Sequence, residues 1–192
     1  EDAATAFGAL FPDSVIGAPD VYRGDSWQIA VAVPRLSLRL AVLLRATAIA
    51  SGMADTRISV GIGAGNTVVS ERISQSTGDA FLRSGRALDD IANRRMALSM
   101  PEAPPDTGAL AAGIVMLLDH VIGGWTAKQA GAMRQVMENP GKADADIAGA
   151  RLSDSERRNF TKLRNRANAD LVIDVLDVFE GLEFWTQTGS EY

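Results

Sequence analysis

The sequence predicts an α+β fold, in which a half that mixes strands and helices precedes a half that is entirely helical. Segments rich in strand-forming residues alternate with segments of helical periodicity up to about residue 100, and only helical periodicity follows. Pro101, Pro104 and Pro105 lie between the halves and indicate a linker, because proline continues neither a helix nor a central strand. We therefore expect an α/β sandwich over residues 1–103 and a helical domain over residues 104–192.

The first half has the element order of a mixed sheet covered by helices. Its predicted elements are strands at 14–22 and 27–33, a helix at 36–50, a strand at 56–62, a helix at 79–91 and a strand at 96–100. The first two strands flank Arg23-Gly24-Asp25, whose glycine and aspartate tolerate the backbone angles of a hairpin turn. In the 36–50 helix, Arg35, Arg39 and Arg45 lie between the apolar positions, and Thr77 or Gly78 marks the start of the later helix.

The second half contains four predicted helices, separated by turn signals. Their expected ranges are 107–122, 126–138, 144–150 and 155–182. Asn139-Pro140-Gly141 is a strong helix stop, and Thr126 and Ser155 are the expected N-caps, since their hydroxyls accept hydrogen bonds from the free N–H groups of a first turn.

Positive charge is concentrated in one short stretch of an acidic chain. The formal net charge is −5. Residues 151–170 nevertheless hold six basic and three acidic side chains, and residues 171–192 hold five acidic and no basic ones. A basic block of this kind forms either a solvated helix face or a contact for a negatively charged partner.

The basic block has the pattern of an amphipathic helix. Phe160, Leu163, Ala167 and Leu171 follow helical spacing and predict one apolar stripe, with the basic side chains on roughly the opposite side. A short helix, a turn and an arginine-rich helix are typical of a helix-turn-helix, whose second helix enters the major groove of DNA. The predicted DNA-binding residues are Arg157, Arg158, Lys162, Arg164 and Arg166. The alternative is a solvated or protein-facing surface.

Residue counts exclude several chemistries. The chain has no cysteine and a single histidine, His120, so it holds no disulfide, thiolate metal site, cysteine nucleophile or multi-histidine site. His120 lies among apolar residues and is expected to be a packed or boundary histidine. No apolar run approaches the ~18 residues of a membrane span, and no secretory leader opens the chain, so we expect a cytoplasmic protein that does not contact membranes.

Three groups in the first half are candidates for chemistry, each with a plain structural alternative. Asp25 at the hairpin tip could hold a divalent cation, or belong to an ordinary turn. The run Gly61-Ile62-Gly63-Ala64-Gly65 follows a strand as phosphate loops do, or lets the strand end turn sharply. Asp79, Arg83 and Arg86 could bind a phosphate at the start of a helix, or form a cap with surface arginines.

The combination of motifs resembles a known family. Arg23-Gly24-Asp25-Ser26-Trp27-Gln28, the strand Arg57 to Gly63 and the Gly78-Asp79-Ala80-Phe81 helix start look like the catalytic domain of class III nucleotidyl cyclases. With the helical tail that begins at Trp125-Thr126-Ala127-Lys128-Gln129, the chain resembles the SatD family of bacteria, which joins a cyclase-like (ferredoxin-like) sandwich to a C-terminal helix-turn-helix.

The resemblance implies roles for particular residues. Asp25 matches the hairpin aspartate that holds Mg²⁺ or Mn²⁺, Arg86 matches the arginine that stabilises the transition state, and the nucleotide would lie near Arg23, Gly24, Asp79 and Arg83. The family's first strand, with its second metal-binding aspartate, would lie upstream of residue 1. Leu82 stands where an asparagine is expected, and the base-selecting lysine is absent. Each lost donor of this kind lowers the rate by ~10²–10³.

Three functions are open at this point. The first is a DNA-binding regulator whose cyclase-like domain senses a nucleotide or mediates homodimerisation. The second is a metal-dependent nucleotidyl cyclase or transferase that uses Asp25 and Arg86. The third is a protein-interaction module that binds no nucleic acid.

Overall fold

A computed structural model of the chain describes six stretches of residues, which are 2–22, 26–53, 56–63, 72–100, 105–148 and 153–182. Within them the chain forms the α-helices and β-strands α1 Asp2–Leu10, β1 Val15–Tyr22, β2 Ser26–Val31, α2 Ser37–Ala50, β3 Ile58–Gly61, α3 Asp79–Asp89, β4 Met96–Ser99, α4 Pro105–Gly123, α5 Ala127–Glu138, α6 Asp144–Ala148, α7 Asp154–Arg166 and α8 Ala169–Glu180. Short 3-10 helices occupy Pro34–Leu36 and Ile73–Gln75. The predicted α+β class is confirmed, and so is the order of elements from β1 to β4.

The strands form two separate pairs. β1 and β2 are antiparallel, with Tyr22 opposite Ser26, which confirms the predicted hairpin. β3 and β4 are parallel, with Ile58 opposite Met96, and α3 connects them. The described residues therefore contain two two-stranded sheets in place of the single mixed sheet that the sequence predicts.

The helix α1 was not predicted from the sequence. It is only nine residues long and carries no long apolar stripe. Its place depends on tertiary burial, because Phe7 is fully enclosed and its ring lies 4.7 Å from that of Phe11. Burial of one aromatic ring can stabilise a helix whose local sequence would not form one alone.

The close approach of α3 to β3 explains two of the glycines in the predicted phosphate loop. A Cβ added at Gly61 would lie 2.1 Å from the carbonyl oxygen of Ala80, and one at Gly63 would lie 2.3 Å from the Ala80 nitrogen. These glycines therefore let a helix backbone rest directly on a strand backbone. Gly65 lies outside the described residues, so the phosphate-loop interpretation of the whole run is not tested.

One hydrophobic core extends through both halves of the chain. Val42 and Leu43 of α2 belong to the same buried cluster as Met133 of α5 and Leu176 of α8. The division at residues 103/104 stays a prediction. Pro105, expected in the linker, is instead the first residue of α4. A proline is favourable there because the first helical residue needs no N–H donor.

The predicted single helix over 155–182 is wrong, because the chain breaks it between α7 and α8. Asn168 adopts the left-handed conformation with φ 54°, which asparagine tolerates better than most residues. The predicted apolar stripe consequently ends at Ala167, and Leu171 is exposed. The indole Nε1 of Trp125 donates a hydrogen bond of 2.9 Å to the Ala167 carbonyl at this break.

The predicted caps have different outcomes. Thr126 caps α5 as expected, since its hydroxyl accepts from the Gln129 N–H while the Gln129 side chain accepts from the Thr126 N–H. Ser155 is not a cap, because α7 already begins at Asp154. In the part of the chain that the structure describes, no helix combines the length and apolar character needed to cross a bilayer.

Candidate functional site

The hairpin tip carries the predicted metal ligand, Asp25, with Arg23 and Gly24 beside it. All three lie outside the described residues, so their assignments stay predictions. Across the described stretches, no group of three or more histidine and acidic side chains is placed to hold a metal ion. We therefore derive no chemical step through Mg²⁺ or Mn²⁺.

Asp79 and Arg83 are engaged with each other and with the sheet. The Arg83 Nε donates to an Asp79 carboxylate oxygen at 2.6 Å, and its Nη1 donates to the Met100 carbonyl at 2.9 Å. Arg83 thus ties the first turn of α3 to the residue that follows β4. These contacts use much of its donor capacity within the protein.

Arg86 lines a cavity of about 260 Å³ between α3, β4 and α4. Arg94 and Asp90 share its rim, while Ala112 and Val115 of α4 contribute apolar surface. Two arginines in one lining suit an anion such as a phosphate, since arginine forks match its oxygens, while the carboxylate of Asp90 opposes it. The sequence analysis did not identify Arg94 as a site residue, although Arg94 follows Arg86 by eight positions.

Three exposed basic side chains of the helical half lie together on α7. Arg158, Lys162 and Arg166 are exposed, and none makes an ion pair with any residue in the described ranges. They follow one another at four-residue spacing, so they share one side of the helix. Phe160 and Ala167 are buried on the opposite side, against the core.

Two exposed asparagines lie near this basic side and were not among the predicted site residues. Asn165 lies three residues after Lys162, and Asn159 follows Arg158. An asparagine amide offers a donor and an acceptor together, which is the pair that an adenine edge presents in the major groove. The signal that could have found them is a polar, uncharged residue interleaved with a basic helical repeat.

Arg164, predicted to contact DNA, is held by carboxylates. Its Nε lies 3.1 Å from an Asp144 oxygen of α6, and its two Nη groups donate to the Asp170 carboxylate of α8. Thr161 adds a 2.7 Å hydrogen bond to Asp144. Arg164 therefore joins three helices, and its charge is neutralised before any ligand arrives. Arg157 is half-buried and also interacts within the protein.

The structure describes the helix before α7 over only part of its predicted range. The structure describes α6 as Asp144–Ala148, where the sequence predicts 144–150, and residues 149–152 lie outside the described residues. Asp144 docks this helix on α7. A helix-turn-helix made by α6 and α7 stays a prediction.

His120 is exposed, which corrects the expectation of a packed or boundary histidine. It lies near the end of α4, on the side away from the buried residues Leu118 and Ile122. Trp125, in contrast, is buried as a packing residue. Phe184 and Trp185, also expected to pack between helices, lie outside the described residues.

Two arginines of α2 are buried, which the sequence spacing does not reveal. Arg45 is fully enclosed and lies 2.6 Å from the Asp119 carboxylate of α4, whose other oxygen accepts from the Arg95 N–H at 2.9 Å. Arg39 contacts Asp177 at 2.6 Å and Glu180 at 2.5 Å, both on α8. These ion pairs connect α2 to the helical half.

Asp20 on β1 anchors the 3-10 helix that precedes α3. Its carboxylate accepts hydrogen bonds from the Ser74 hydroxyl at 2.5 Å and the Ser74 N–H at 3.0 Å, and Arg72 lies at 3.5 Å. The Ser74 hydroxyl, the Ser74 N–H and the Arg72 charge together lower the pKa of Asp20.

Comparison of the chain with protein-family models, curated proteins and solved structures gives no match. The resemblance to the SatD family stays a prediction.

Proposed function

We propose that the protein is a regulator that binds duplex DNA through the outward side of α7, which presents Arg158, Lys162 and Arg166. The observation that carries the proposal is the exposure of three cations on one helix face, without carboxylate partners among the described residues. In a chain of net charge −5, such a face is the region to which a polyanion is drawn.

The contacts of α7 support this use of the helix. Its buried side fixes its orientation through Phe160, and Arg164 fastens it to α6 and α8. The recognition face is therefore presented on a rigid element, and few contacts must be ordered when a ligand binds. A helix of 13 residues is about 20 Å long, which suits insertion into a major groove.

The test is DNA binding by fluorescence anisotropy over a series of salt concentrations. Each phosphate contact contributes about 0.9 to the slope of log K against log salt, so alanine at Arg158, Lys162 and Arg166 together should lower the magnitude of the slope by about 2.7. The matched control replaces Arg35, Arg57 and Arg95, which are exposed in the first half, and removes the same charge.

The control should keep most of the wild-type slope. Equal loss in both triple variants would show that net charge alone drives binding and would contradict the proposal. Absence of binding by the wild type at low salt would also contradict it, and would favour a protein-interaction module.

A second candidate function rests on the cavity beside α3. Arg86 and Arg94 at its rim favour a small phosphate-bearing ligand, and the family resemblance suggests a nucleotide that controls the regulator. Titration calorimetry with ATP and with pyrophosphate should detect binding that Arg86→Ala and Arg94→Ala each weaken at least tenfold. Arg57→Ala is the control, and equal weakening by it would exclude the cavity.

Turnover is the remaining alternative. If the α+β half is a working cyclase or transferase, nucleoside triphosphate with Mg²⁺ or Mn²⁺ would be consumed, and Asp25→Ala would abolish the reaction. Binding of ATP without consumption would instead support a sensing domain.

A further inference from the structure

A second cavity, of about 530 Å³, lies where α1 packs against α2 and α5. The helix α5 contributes two opposite charges to its lining, Arg134 and Glu138, and the C-terminal end of α2 contributes two hydroxyls, Thr47 and Ser51. The lining residues of α1 are all apolar. A cavity of this volume can hold a small organic molecule, and its lining indicates which kind.

The two charged side chains have few polar contacts within the protein. The Arg134 Nε lies 3.6 Å from a Glu138 carboxylate oxygen, which is an ion pair but too long for a hydrogen bond. That Nε is buried, and it has no hydrogen-bond partner among the described residues. Arg39 and Arg83, in contrast, donate hydrogen bonds of 2.6 Å to carboxylates. Arg134 therefore has donors left for a ligand, and the Glu138 carboxylate has acceptors left.

Opposite charges this close together favour a ligand that is itself a zwitterion. The guanidinium of Arg134 can hold a carboxylate through two parallel hydrogen bonds, and Glu138 can accept from an ammonium. Glu138 would repel a phosphate, and Arg134 would repel an amine that has no carboxylate. An α-amino acid carries its ammonium and its carboxylate on the same carbon, so it can contact both side chains at once.

The hydroxyls of α2 supply further acceptors for the ammonium. Thr47 donates its hydroxyl proton to the Leu43 carbonyl at 2.8 Å, and Ser51 donates its own to the Thr47 carbonyl at 2.9 Å. Because both protons are used within α2, the two oxygens can still accept but offer no proton to a carboxylate. The C-terminal end of a helix also carries partial negative charge, and α2 has no basic side chain in its last turn. This side of the cavity therefore favours a cation.

The wall on α1 indicates the side chain of the amino acid. Ala3, Ala6 and Ala9 follow one another at three-residue spacing, so they share one side of the helix, and Leu10 lies next to them. Methyl groups leave space in front of this wall. An aliphatic side chain would be buried favourably there, whereas a charged one would lose its hydration without gaining a partner on α1.

We propose that this cavity binds a free aliphatic α-amino acid. Its carboxylate contacts Arg134, its ammonium contacts Glu138 and the hydroxyls of Thr47 and Ser51, and its side chain packs against α1. Because the ligand contacts three helices of the folded chain, its binding should stabilise that fold. The proposal depends neither on DNA binding nor on the cavity beside α3.

The test is titration calorimetry of the full chain with L-leucine, for which we expect a dissociation constant below about 1 mM. Two analogues separate the charges, since isocaproate lacks the ammonium of leucine and isoamylamine lacks its carboxylate. Each should bind at least tenfold more weakly, because it leaves one side chain of the pair without its partner. Equal binding of isocaproate and L-leucine would indicate a simple carboxylate site and would overturn the proposal. Absence of L-leucine binding at several millimolar would overturn it as well.

Variants locate the site. Arg134→Gln and Glu138→Gln should each weaken L-leucine binding at least tenfold. Lys128→Gln is the matched control, because Lys128 is exposed on the same helix, outside the cavity lining, and it should change the affinity less than twofold. Equal weakening by Lys128→Gln and Arg134→Gln would contradict the proposal.

A third variant tests the cavity without changing a charge. Ala6→Leu should abolish L-leucine binding, because the larger side chain fills the space in front of α1. Circular dichroism melting checks that every variant remains folded. Added L-leucine should raise the melting temperature of the wild type and of Lys128→Gln but not that of Ala6→Leu. An unchanged affinity in a folded Ala6→Leu would overturn the placement of the ligand in this cavity.

Discussion

The arginines of α2 and the basic residues of α7 have opposite environments. Arg39 and Arg45 point into the protein and reach carboxylates more than 70 positions away in the chain. Arg158 and Arg166 point outward and make no ion pair within the described ranges. A basic helical repeat therefore gains its role from the acidic residues that the fold brings to it. Arg164 lies on the same helix as the exposed cations but is paired with Asp144 and Asp170.

The energetic difference follows from desolvation. A guanidinium loses its hydration when it is buried, and Asp119 offsets that loss for Arg45 by supplying the opposite charge and accepting its hydrogen bond. An exposed side chain such as Lys162 keeps its water and can exchange it for a phosphate. We therefore expect the buried arginines to determine the free energy of unfolding, and the exposed basic residues to determine the affinity for a negatively charged ligand.

The largest effect is expected from Asp119→Ala, which removes the Asp119 carboxylate from the buried Arg45 charge and from the Arg95 N–H. The free energy of unfolding should fall by about 3–5 kcal/mol, measured by urea denaturation. Asp174→Ala, at an exposed site, should change it by less than about 0.5 kcal/mol. The double variant Arg45→Met with Asp119→Leu should recover most of the loss, and a loss below about 1 kcal/mol in Asp119→Ala would contradict the buried-charge argument.

A crossed pair of variants on α7 tests the comparison within one helix. Arg164→Ala should lower the free energy of unfolding by about 1–3 kcal/mol, because Asp144 and Asp170 lose a shared partner, while the salt dependence of DNA binding stays near the wild-type slope. Lys162→Ala should change unfolding by less than about 0.5 kcal/mol and reduce the slope by about 0.9. Urea denaturation gives the free energy of unfolding, and the anisotropy series gives the salt slope. A larger loss of stability in Lys162→Ala and a larger loss of slope in Arg164→Ala would contradict the distinction between the two residues.

The two partners of Arg39 should differ, because Glu180 is much less exposed than Asp177. Glu180→Gln should lower the free energy of unfolding by about 1–2 kcal/mol, and Asp177→Asn by less than about 0.5 kcal/mol. Thermal melting at low and high salt separates them, since the exposed pair alone should lose its effect when salt is added. Equal losses of unfolding free energy in the two variants would show that exposure does not determine how much each ion pair of Arg39 contributes to stability.

The smallest effect concerns Asp20, a carboxylate held mainly by a hydroxyl rather than by an arginine. Its pKa is lowered from the ordinary 3.8 by the Ser74 hydroxyl, the Ser74 N–H and Arg72. The folded state therefore gains stability above the ordinary value and loses it as the pH falls through the lowered pKa. Melting temperatures of the wild type and Asp20→Asn between about pH 5 and about pH 2 should converge at the acid end, and a constant difference would contradict the linkage.

The sequence predicted those elements whose formation depends on neighbouring residues in the chain. The hairpin, the order of β1 to β4, the capping box at Thr126 and the stop after Glu138 all follow from neighbouring residues. The break at Asn168 lacks glycine and proline, so helical periodicity extends across it. The burial of Arg45 and the contact of Ala80 with Gly61 depend on residues far apart in the chain, which periodicity does not contain.

The candidate sites show the same limit. Arg158, Lys162 and Arg166 were identified from charge and spacing, and the structure places them together on an exposed face. Arg164 has the same pattern in the sequence but a different environment, because Asp144 and Asp170 reach it only after the helices pack. Composition and spacing thus find a basic helix and do not say which of its charges are available.

The hydrogen bond from Trp125 to the Ala167 carbonyl makes the fluorescence of Trp125 a natural reporter of this part of the chain. The indole sits at the joint between α7 and α8, so any tilt of α7 relative to the helical core must stretch or break that bond. Tryptophan emission shifts when the ring gains water, and Trp27→Phe with Trp185→Phe would leave Trp125 as the only tryptophan. Motion of the basic helix can then be followed in real time without an attached dye.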